Sequence, residues 1–373
     1  MRRFFLLLSV FILPLLSINC AIVPQNPEEI AFFSWTHYKQ TFIRGGRVFR
    51  PKNNNDTVSE GQAYGMIRAV LLDDRKTFDE CLTWTEAQLS RKNSHGDRLL
   101  AWHFEDGKII DTKAASDADI DYAYSLILAS RKWGDKSYMT LAKGVLESVL
   151  DQETSIIKGR LYFLPWPKQN NRDGEIIALN PSYYAPSHFK LFFEVSGDKR
   201  WLELVDTTYF ILDRLLDSPG EENKGGFVPD WIAVDQNGTL VELPGKPVDY
   251  GWDAVRVPLR IAADYYLYGD SRALGVLRLF SAFFEKEYTE PSKSKTLENA
   301  LFYSAVYAAT ETAGSPLSSA ILQRLRECIR KNNKGFYYND NNDYYINSIS
   351  WLPEYYNIIK LTGKLKHPPL SAG

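Results

Sequence analysis

Three stretches of the chain place an acidic side chain at the start of an apolar run typical of a helix. Glu60 lies in T-V-S-E-G-Q-A-Y-G-M, Asp117 leads the trio D-A-D-I-D, and Asp253 lies in D-Y-G-W-D-A-V-R. Acids at helix starts usually bind free N–H groups or complement the helix dipole. Carboxyl groups with different pKa values can instead exchange protons with a substrate. Because the pattern recurs at three helix starts, we favour a site of proton chemistry.

Other chemistries have little support in the sequence. The histidines show no metal-ligand spacing, three cysteines are too few for a structural zinc site, and the aspartate trio lacks the Gly and Glu of a calcium loop. The chain has no Gly-rich phosphate loop and no G-x-S-x-G elbow, so nucleophilic serine or cysteine chemistry has no candidate. We therefore expect neither a metal nor a cofactor.

Charge and composition narrow the class of partner. The 373 residues include 44 basic and 46 acidic side chains, giving a net charge of -2, so a nucleic-acid partner is not indicated. Aromatic residues make up 14% of the chain, with nine Trp and 22 Tyr. They can form a large core, or they can line a groove where their faces stack on sugar rings.

The N-terminus is typical of an export signal. Arg2 and Arg3 precede an apolar stretch that is broken by Pro14 and is too short for a good membrane span. We predict a signal at residues 1–20 and a protein that is periplasmic, secreted or lipid-anchored. Cys20 can be the lipid-accepting residue of a lipoprotein, although Asn19 departs from the usual small residue. Without the signal, Cys81 and Cys328 remain as buried thiols or as a disulfide.

The rest of the chain, residues 22–373, is predicted to be a single domain of helical hairpins. No linker or low-complexity segment divides it, and helix–turn–helix patterns recur at residues 73–75, 134–136, 197–199 and 269–270. Space remains for about two more hairpins, which suggests a closed toroid; a solenoid or a bundle is the alternative. Short β pieces are expected in loops. If the inner helices share one polarity, their acidic starts gather on one face.

Several motifs resemble those of glycoside hydrolase family 8 over nearly the whole mature chain. S-E-G-Q-A-Y-G-M is similar to the acid motif of that family, and A-S-D-A-D-I-D-Y-A-Y-S-L-I-L-A-S-R-K-W matches its signature. N-P-S-Y-Y, G-F-V-P-D-W, Y-G-W-D-A-V-R-V-P-L-R and D-Y-Y-I-N-S-I-S-W-L-P follow in the same order. Trp252 stands where a Tyr is more typical. Length and layout most resemble the endoglucanases that accompany bacterial cellulose synthesis.

The resemblance implies an all-α (α/α)6 barrel that hydrolyses internal β-1,4-glycosidic bonds of glucan with inversion. Glu60 would be the general acid, Asp253 the general base, and Asp117 a third catalytic residue in the central subsite. Arg256 would bind substrate, keep Asp253 ionised and fix the rotamer of Asp253. Predicted sugar contacts come from Trp102 and Tyr183, with Trp166, Trp231 and Trp252 as weaker candidates.

Alternatives remain open for Asp119 and for the class of substrate. Asp119 either binds substrate, which we favour, or caps its helix; Asp121 is interpreted as an ordinary first-turn acid. A chitosanase or a xylanase, endo- or exo-acting, is the alternative on the same fold. A non-catalytic glycan-binding protein of polysaccharide assembly is the second alternative. We expect a monomer whose partner is a β-1,4-linked polysaccharide.

Overall fold

The computed structural model describes residues 24–170, 176–216, 228–289 and 299–362. The predicted export signal and Cys20 lie outside the described residues. The helices are α1 (Pro27–Phe42), α2 (Ser59–Leu71), α3 (Arg75–Gln88), α4 (Lys92–His95), α5 (Ser116–Trp133), α6 (Lys136–Gln152), α7 (Pro186–Ser196), α8 (Arg200–Leu216), α9 (Arg256–Tyr268), α10 (Ser271–Thr289), α11 (Ala300–Ala313), α12 (Ser318–Glu327), α13 (Tyr344–Ile349) and α14 (Leu352–Thr362).

The helical hairpins turn at the predicted residues. Gly134 ends α5 with a φ of 73°, a left-handed conformation that costs glycine little, and Asp135 then accepts a hydrogen bond from the N–H of Ser137 at the start of α6. The turns at Gly197 and Gly269 have the same left-handed geometry. Between α2 and α3, Asp74 is the N-cap and binds the N–H of Thr77. All four predicted turns are confirmed.

The hairpins close into the predicted (α/α)6 barrel. Its inner ring runs through α2, α5, α7, α9, α11 and the α13–α14 pair, and α13 contacts α2 again. The outer helices α3, α6, α8, α10 and α12 each follow an inner one, and α1 packs against α14. Inner helices are buried on every side: residues 116–129 of α5 are all buried, whereas α6 buries only one face. The prediction of an all-α toroid is confirmed.

Short antiparallel strands lie in the connections between helices. They are β1 (Ile43–Arg44), β2 (Arg47–Val48), β3 (Thr57–Val58), β4 (His103–Glu105), β5 (Lys108–Asp111), β6 (Thr154–Ile157), β7 (Arg160–Phe163), β8 (Ile176–Leu179), β9 (Ile232–Asp235), β10 (Leu240–Val241), β11 (Ile329–Asn332) and β12 (Gly335–Tyr338). They pair as β1–β2, β3–β4–β5, β6–β7, β8–β9–β10 and β11–β12. The strand β3 leads directly into α2, so its sheet sets the start of that helix.

Cys81 and Cys328 are buried free thiols, which decides between the two alternatives for this pair. Burial raises the pKa of the Cys81 thiol to about 12, so this thiol stays protonated and unreactive near neutral pH. Within the four described ranges, none of the helices has the length and apolarity needed to cross a membrane.

Candidate active site

The three predicted catalytic acids meet at the N-terminal ends of inner helices. Glu60 is the second residue of α2, Asp117 is the second residue of α5, and Asp253 lies three residues before α9. Because these helices share one polarity around the ring, their starts converge on the barrel axis. Ser59 is the first residue of α2, and Val58 is its N-cap.

Arg256, the first residue of α9, joins the three acids. Its Nη1 atom lies 3.0 Å from Oε2 of Glu60 and 2.8 Å from Oδ2 of Asp117, and its Nη2 atom lies 2.8 Å from Oδ1 of Asp253. The side chain of Arg256 is 3% exposed, so water does little to screen these contacts. One positive charge faces three carboxyl groups. It cannot compensate all of them in the ionised form.

Glu60 can carry a proton near neutral pH. Burial raises its pKa to about 7, the nearby Asp117 and Asp253 charges act in the same direction, and Arg256 opposes them. The hydroxyl group of Tyr344 donates a hydrogen bond to Oε1 of Glu60 at 3.2 Å and so fixes the carboxyl group. The Glu60 side chain is 21% exposed, which leaves it open to the cleft. A carboxyl group protonated near neutral pH can donate a proton to a substrate.

Asp253 is held by donors on both carboxylate oxygens. Arg256 occupies Oδ1, and the side-chain amide of Asn180 donates to Oδ2 at 3.0 Å. The loop carrying Asp253 is fixed by Asp230, whose Oδ1 atom accepts from the N–H groups of Gly251, Asp253 and Ala254 at 3.0, 3.2 and 2.7 Å. With 28% of its side chain exposed, Asp253 can still reach a water molecule in the cleft.

Asp117 is more enclosed than the other two acids. Its side chain is 4% exposed, and its Oδ1 atom accepts from the N–H of Ala118 at 2.9 Å. Burial raises the pKa of Asp117, and the contact with Arg256 opposes the rise. As predicted, Asp117 lies at a helix start and at the centre of the ring. Its chemical role stays a prediction.

Aromatic side chains flank the acids. The ring of Tyr183 faces the Arg256 guanidinium at 5.2 Å and contacts Trp231 edge-on at 6.2 Å, while Trp166 and Trp231 stack with centroids 5.8 Å apart. Trp102 is partly buried and stacks on His103 at 4.7 Å.

Trp252 lies beside an open cavity. Its side chain is 47% exposed and packs against Tyr345. Trp252 helps to line this cavity of about 570 Å³, which also includes Glu60 and Asp253.

The structure departs from the sequence interpretation at two residues of the trio. The favoured prediction that Asp119 binds substrate has no support in this geometry, because the side chain is fully buried and its Oδ1 atom accepts from the N–H of Leu100. Asp121 is not a first-turn dipole acid. It is 1% exposed, forms a bidentate ion pair with Arg260 and lies 3.1 Å from Nε2 of His188. Both contacts lower the pKa of Asp121.

Sequence reasoning assigned no role to three polar residues of the site. Asn180 orients Asp253, Asp230 holds its loop, and Tyr344 binds Glu60. Each lies in a motif that was recognised as a whole, namely N-P-S-Y-Y, G-F-V-P-D-W and D-Y-Y-I-N. These motifs indicate the segments that contribute to the site, but they do not indicate which side chain in each segment faces the acids. Among the described residues, no group of three or more His, Cys, Asp or Glu side chains is arranged to hold a metal ion.

The chain matches a known protein family. The family model described as "Glycosyl hydrolases family 8" matches residues 10–357. The chain is 30% identical over 370 residues to "Endoglucanase A" of Acetivibrio thermocellus, covering 93% of this chain and 72% of that one. It is 32% identical over 265 residues to "Endoglucanase 2" of Ruminiclostridium josui, covering 67% and 53%.

Solved structures share the same architecture. The endo-beta-1,4-glucanase CMCax from Acetobacter xylinum superposes with a TM-score of 0.69 at 21% identity, covering 89% of this chain and 98% of that one. A beta-1,3-1,4-glucanase from Paenibacillus sp. X4 superposes with a TM-score of 0.73 at 24% identity, covering 90% and 92%. At these identities the superpositions establish a common fold.

Proposed function

The chain belongs to glycoside hydrolase family 8, and we propose that it hydrolyses internal β-1,4-glycosidic bonds of an extended glucan with inversion. One observation carries the mechanism: Glu60, Asp117 and Asp253 all contact Arg256 at the base of an open cleft. Relatives named endoglucanases favour a glucan as the substrate. A protein that only binds glycans gains little from two carboxyl groups facing each other across a bond.

Glu60 is the general acid in this proposal. It protonates the glycosidic oxygen as the bond to the anomeric carbon breaks, so that the leaving sugar departs as an alcohol. Its raised pKa keeps this proton available near neutral pH. Tyr344 orients the carboxyl group, and the two carboxylates nearby oppose loss of the proton before substrate arrives.

Asp253 is the general base. It removes a proton from a water molecule that attacks the anomeric carbon from the face opposite to the leaving group. Arg256 and Asn180 orient it, and Asp230 fixes its loop. Glu60 and Asp253 bind different nitrogen atoms of one guanidinium group, so Arg256 holds them apart. An inverting mechanism in general requires roughly 6.5–9.5 Å between the two carboxyl groups, so that a water molecule fits between base and sugar.

Asp117 completes the catalytic set as a residue of the central subsite. Its buried carboxyl group binds Arg256 and can accept a hydrogen bond from a distorted sugar ring. Tyr183 and Trp102 flank the acids and are proposed to contact the sugars beside the scissile bond. Arg256 acts on substrate through the acids that it orients.

We extend the proposal to the whole protein. Residues 22–373 are proposed to form one catalytic domain that works as a monomer without a cofactor. The N-terminal residues 1–20 are proposed to direct export to the periplasm, the cell envelope or the medium, with Cys20 as the candidate lipid acceptor. Mass analysis of the mature N-terminus from expressing cells distinguishes cleavage with lipid from cleavage without it.

The direct test compares three polymers and four proteins. Purified wild type, E60Q and D253N are incubated with carboxymethyl-cellulose, xylan and chitosan, and new reducing ends are measured; E147Q, an exposed substitution on α6, is the matched control. Wild type and E147Q should act on the cellulose derivative, whereas E60Q and D253N should lose about 10²–10⁴ in rate. Wild-type rates in both variants would exclude the mechanism, and preferred cleavage of xylan or chitosan would reassign the substrate.

The stereochemistry is tested separately. The anomeric form of the first product is read by NMR from a cello-oligosaccharide before it mutarotates. Inversion gives the α anomer from a β-linked substrate, and a β anomer would mean retention.

A further inference from the structure

Asp119 and Glu153 form a buried acid pair that the proposed mechanism does not use. Both side chains are fully buried, and they are hydrogen-bonded to each other. Among the described residues, neither Oδ2 of Asp119 nor either carboxyl oxygen of Glu153 has any conventional donor. Carboxylates only accept hydrogen bonds, so two of them can bond to each other only when one carries a proton. A hydrogen bond between Asp119 and Glu153 therefore requires one shared proton.

The charges around the pair support this state. Arg91 is the nearby cation: its Nη2 atom binds Asp97 at 2.9 Å, and its Nε and Nη1 atoms have no hydrogen-bond partner among the described residues. The negative charges that face the pair are Asp97 and Asp117. Burial is the largest influence on both acids and raises both pKa values. One cation shared with Asp97 cannot compensate two buried anions.

The pair is connected to the start of α2 through the backbone. Oδ1 of Asp119 accepts from the N–H of Leu100 at 2.8 Å. Two residues later, the carbonyl oxygen of Trp102 accepts from the N–H of Ser59 at 3.0 Å, and Ser59 immediately precedes Glu60. The segment Leu100–Trp102 thus joins the acid pair to the helix start that carries the general acid.

The pair is also connected to the start of α5. The carbonyl oxygen of Glu153 accepts from the N–H of Leu164 at 2.8 Å, and the Leu164 carbonyl accepts from the hydroxyl group of Ser116 at 2.5 Å. Ser116 immediately precedes Asp117. The backbone on either side of the acid pair therefore supports two of the three catalytic acids.

We propose that Asp119 and Glu153 are positioning residues which, by sharing one proton, hold the segment Leu100–Trp102 and through it the carboxyl group of Glu60. The proposal rests on Glu60 acting as the general acid. It assigns to Asp119 a structural coupling in place of a sugar contact. A loosened helix start would expose Glu60 to more water, so the effect of losing the pair differs from a simple loss of stability.

The test compares E153M, which removes the polar atoms at similar volume, with E153Q, whose amide can donate to Asp119 as the protonated acid does. E354Q is the matched control, because Glu354 is equally buried but pairs with Arg326 on the outer helix α12. Backbone amide exchange at Leu100, Trp102 and Ser59 is followed by NMR or by mass spectrometry, which requires no activity. Steady-state rates on a soluble β-glucan are measured across pH.

In E153M, exchange at these amides should accelerate by about tenfold or more. The value of kcat should fall by about 10–100-fold with KM nearly unchanged, because a small misplacement of a catalytic group is costly. The alkaline limb of the pH profile should move to lower pH. E153Q should bring the amide exchange, kcat and the alkaline limb most of the way back to their wild-type values. E354Q should lower the melting temperature without changing the amide exchange or the alkaline limb.

Unchanged amide exchange in a folded E153M overturns the proposal. A raised KM at constant kcat also overturns it and would mean that the pair contacts sugar.

If E153M does not fold, the D119N variant tests the proposal instead, because its amide can donate to Glu153 while its oxygen still accepts from the N–H of Leu100. D119N should then stay within about threefold of wild type in kcat/KM and in exchange, whereas a loss of about 10²-fold would show that ionised Asp119 acts directly. Wild type without any glucanase activity contradicts the proposed function, while the exchange measurements still decide the positioning role.

Discussion

Nη1 of Arg256 lies 3.0 Å from Oε2 of Glu60, so the carboxyl group with a pKa near 7 is in direct contact with a guanidinium group. A neighbouring cation ordinarily lowers a carboxyl pKa. Here burial outweighs it, and the same guanidinium also serves two other carboxyl groups. One guanidinium group thus contacts three carboxyl groups, and the pKa of Glu60 stays raised despite this contact.

The proposed role of Glu60 predicts the pH dependence of catalysis. A general acid must be protonated, and the pKa of Glu60 is raised to about 7, so kcat/KM should be maintained below that pH and fall as pH rises through about 7. The profile is measured on a soluble β-glucan with buffers of constant ionic strength. An alkaline limb below pH 5.5, where an unperturbed glutamate would have lost its proton, would contradict this assignment.

Removing the Tyr344 hydroxyl group should move that limb. Its hydrogen bond favours the ionised form of Glu60 and lowers its pKa, so Y344F should raise the pKa and move the alkaline limb to higher pH by roughly half a unit. We expect a modest fall in kcat from the less fixed carboxyl group. Y345F is the matched control, because Tyr345 binds the carbonyl oxygen of Trp252 instead. A shift of equal size in both variants would argue against the specific contact.

Asp230 should matter for rate although it does not reach the reacting atoms. D230A removes the acceptor of three N–H groups in the loop before α9, so Asp253 should lose its fixed position and kcat should fall by about 10–100-fold. The control is D249N, an exposed substitution in the same loop. Gly251 belongs to this arrangement, since a Cβ atom there would lie 2.3 Å from Oδ2 of Asp230. Equal kcat values for D230A and D249N would remove Asp230 from the catalytic support.

Trp252 should contribute to binding more than to chemistry. Its ring is 47% exposed beside Asp253, which suits stacking on a sugar next to the scissile bond. W252A should raise KM on long cello-oligosaccharides by about 3–10-fold with little change in kcat, and W252Y should restore part of the loss. Product lengths are compared by chromatography. An unchanged KM in W252A would place the sugar chain elsewhere in the cleft.

The local features of the fold were predictable because each depends on a few neighbouring residues. Gly134 and Asp135 form a hairpin turn by their own conformational preferences, and Glu60, Asp117 and Asp253 could be recognised as acids at helix starts. Ring closure and the common polarity of the inner helices then bring the acids together. Asn180 and Tyr344 could not be assigned in the same way, because their partners lie 73 and 284 residues away in the sequence.

Helical geometry separates the side chains of the aspartate trio. Residues four apart share a face of a helix, and residues two apart point in nearly opposite directions. Asp117 and Asp121 accordingly bind Arg256 and Arg260, which are also four apart on α9. Asp119 points the other way, to Leu100 and Glu153. The identity of the distant partners still required the structure.

The contact between Tyr344 and Glu60 joins the last inner segment of the barrel to the first, across 284 residues. During synthesis, the acid motif emerges long before the tyrosine that orients it. A chain that has folded only its first hairpins therefore presents its carboxyl groups without the geometry to use them. Catalytic competence arrives with ring closure, so activity reports on the completion of folding.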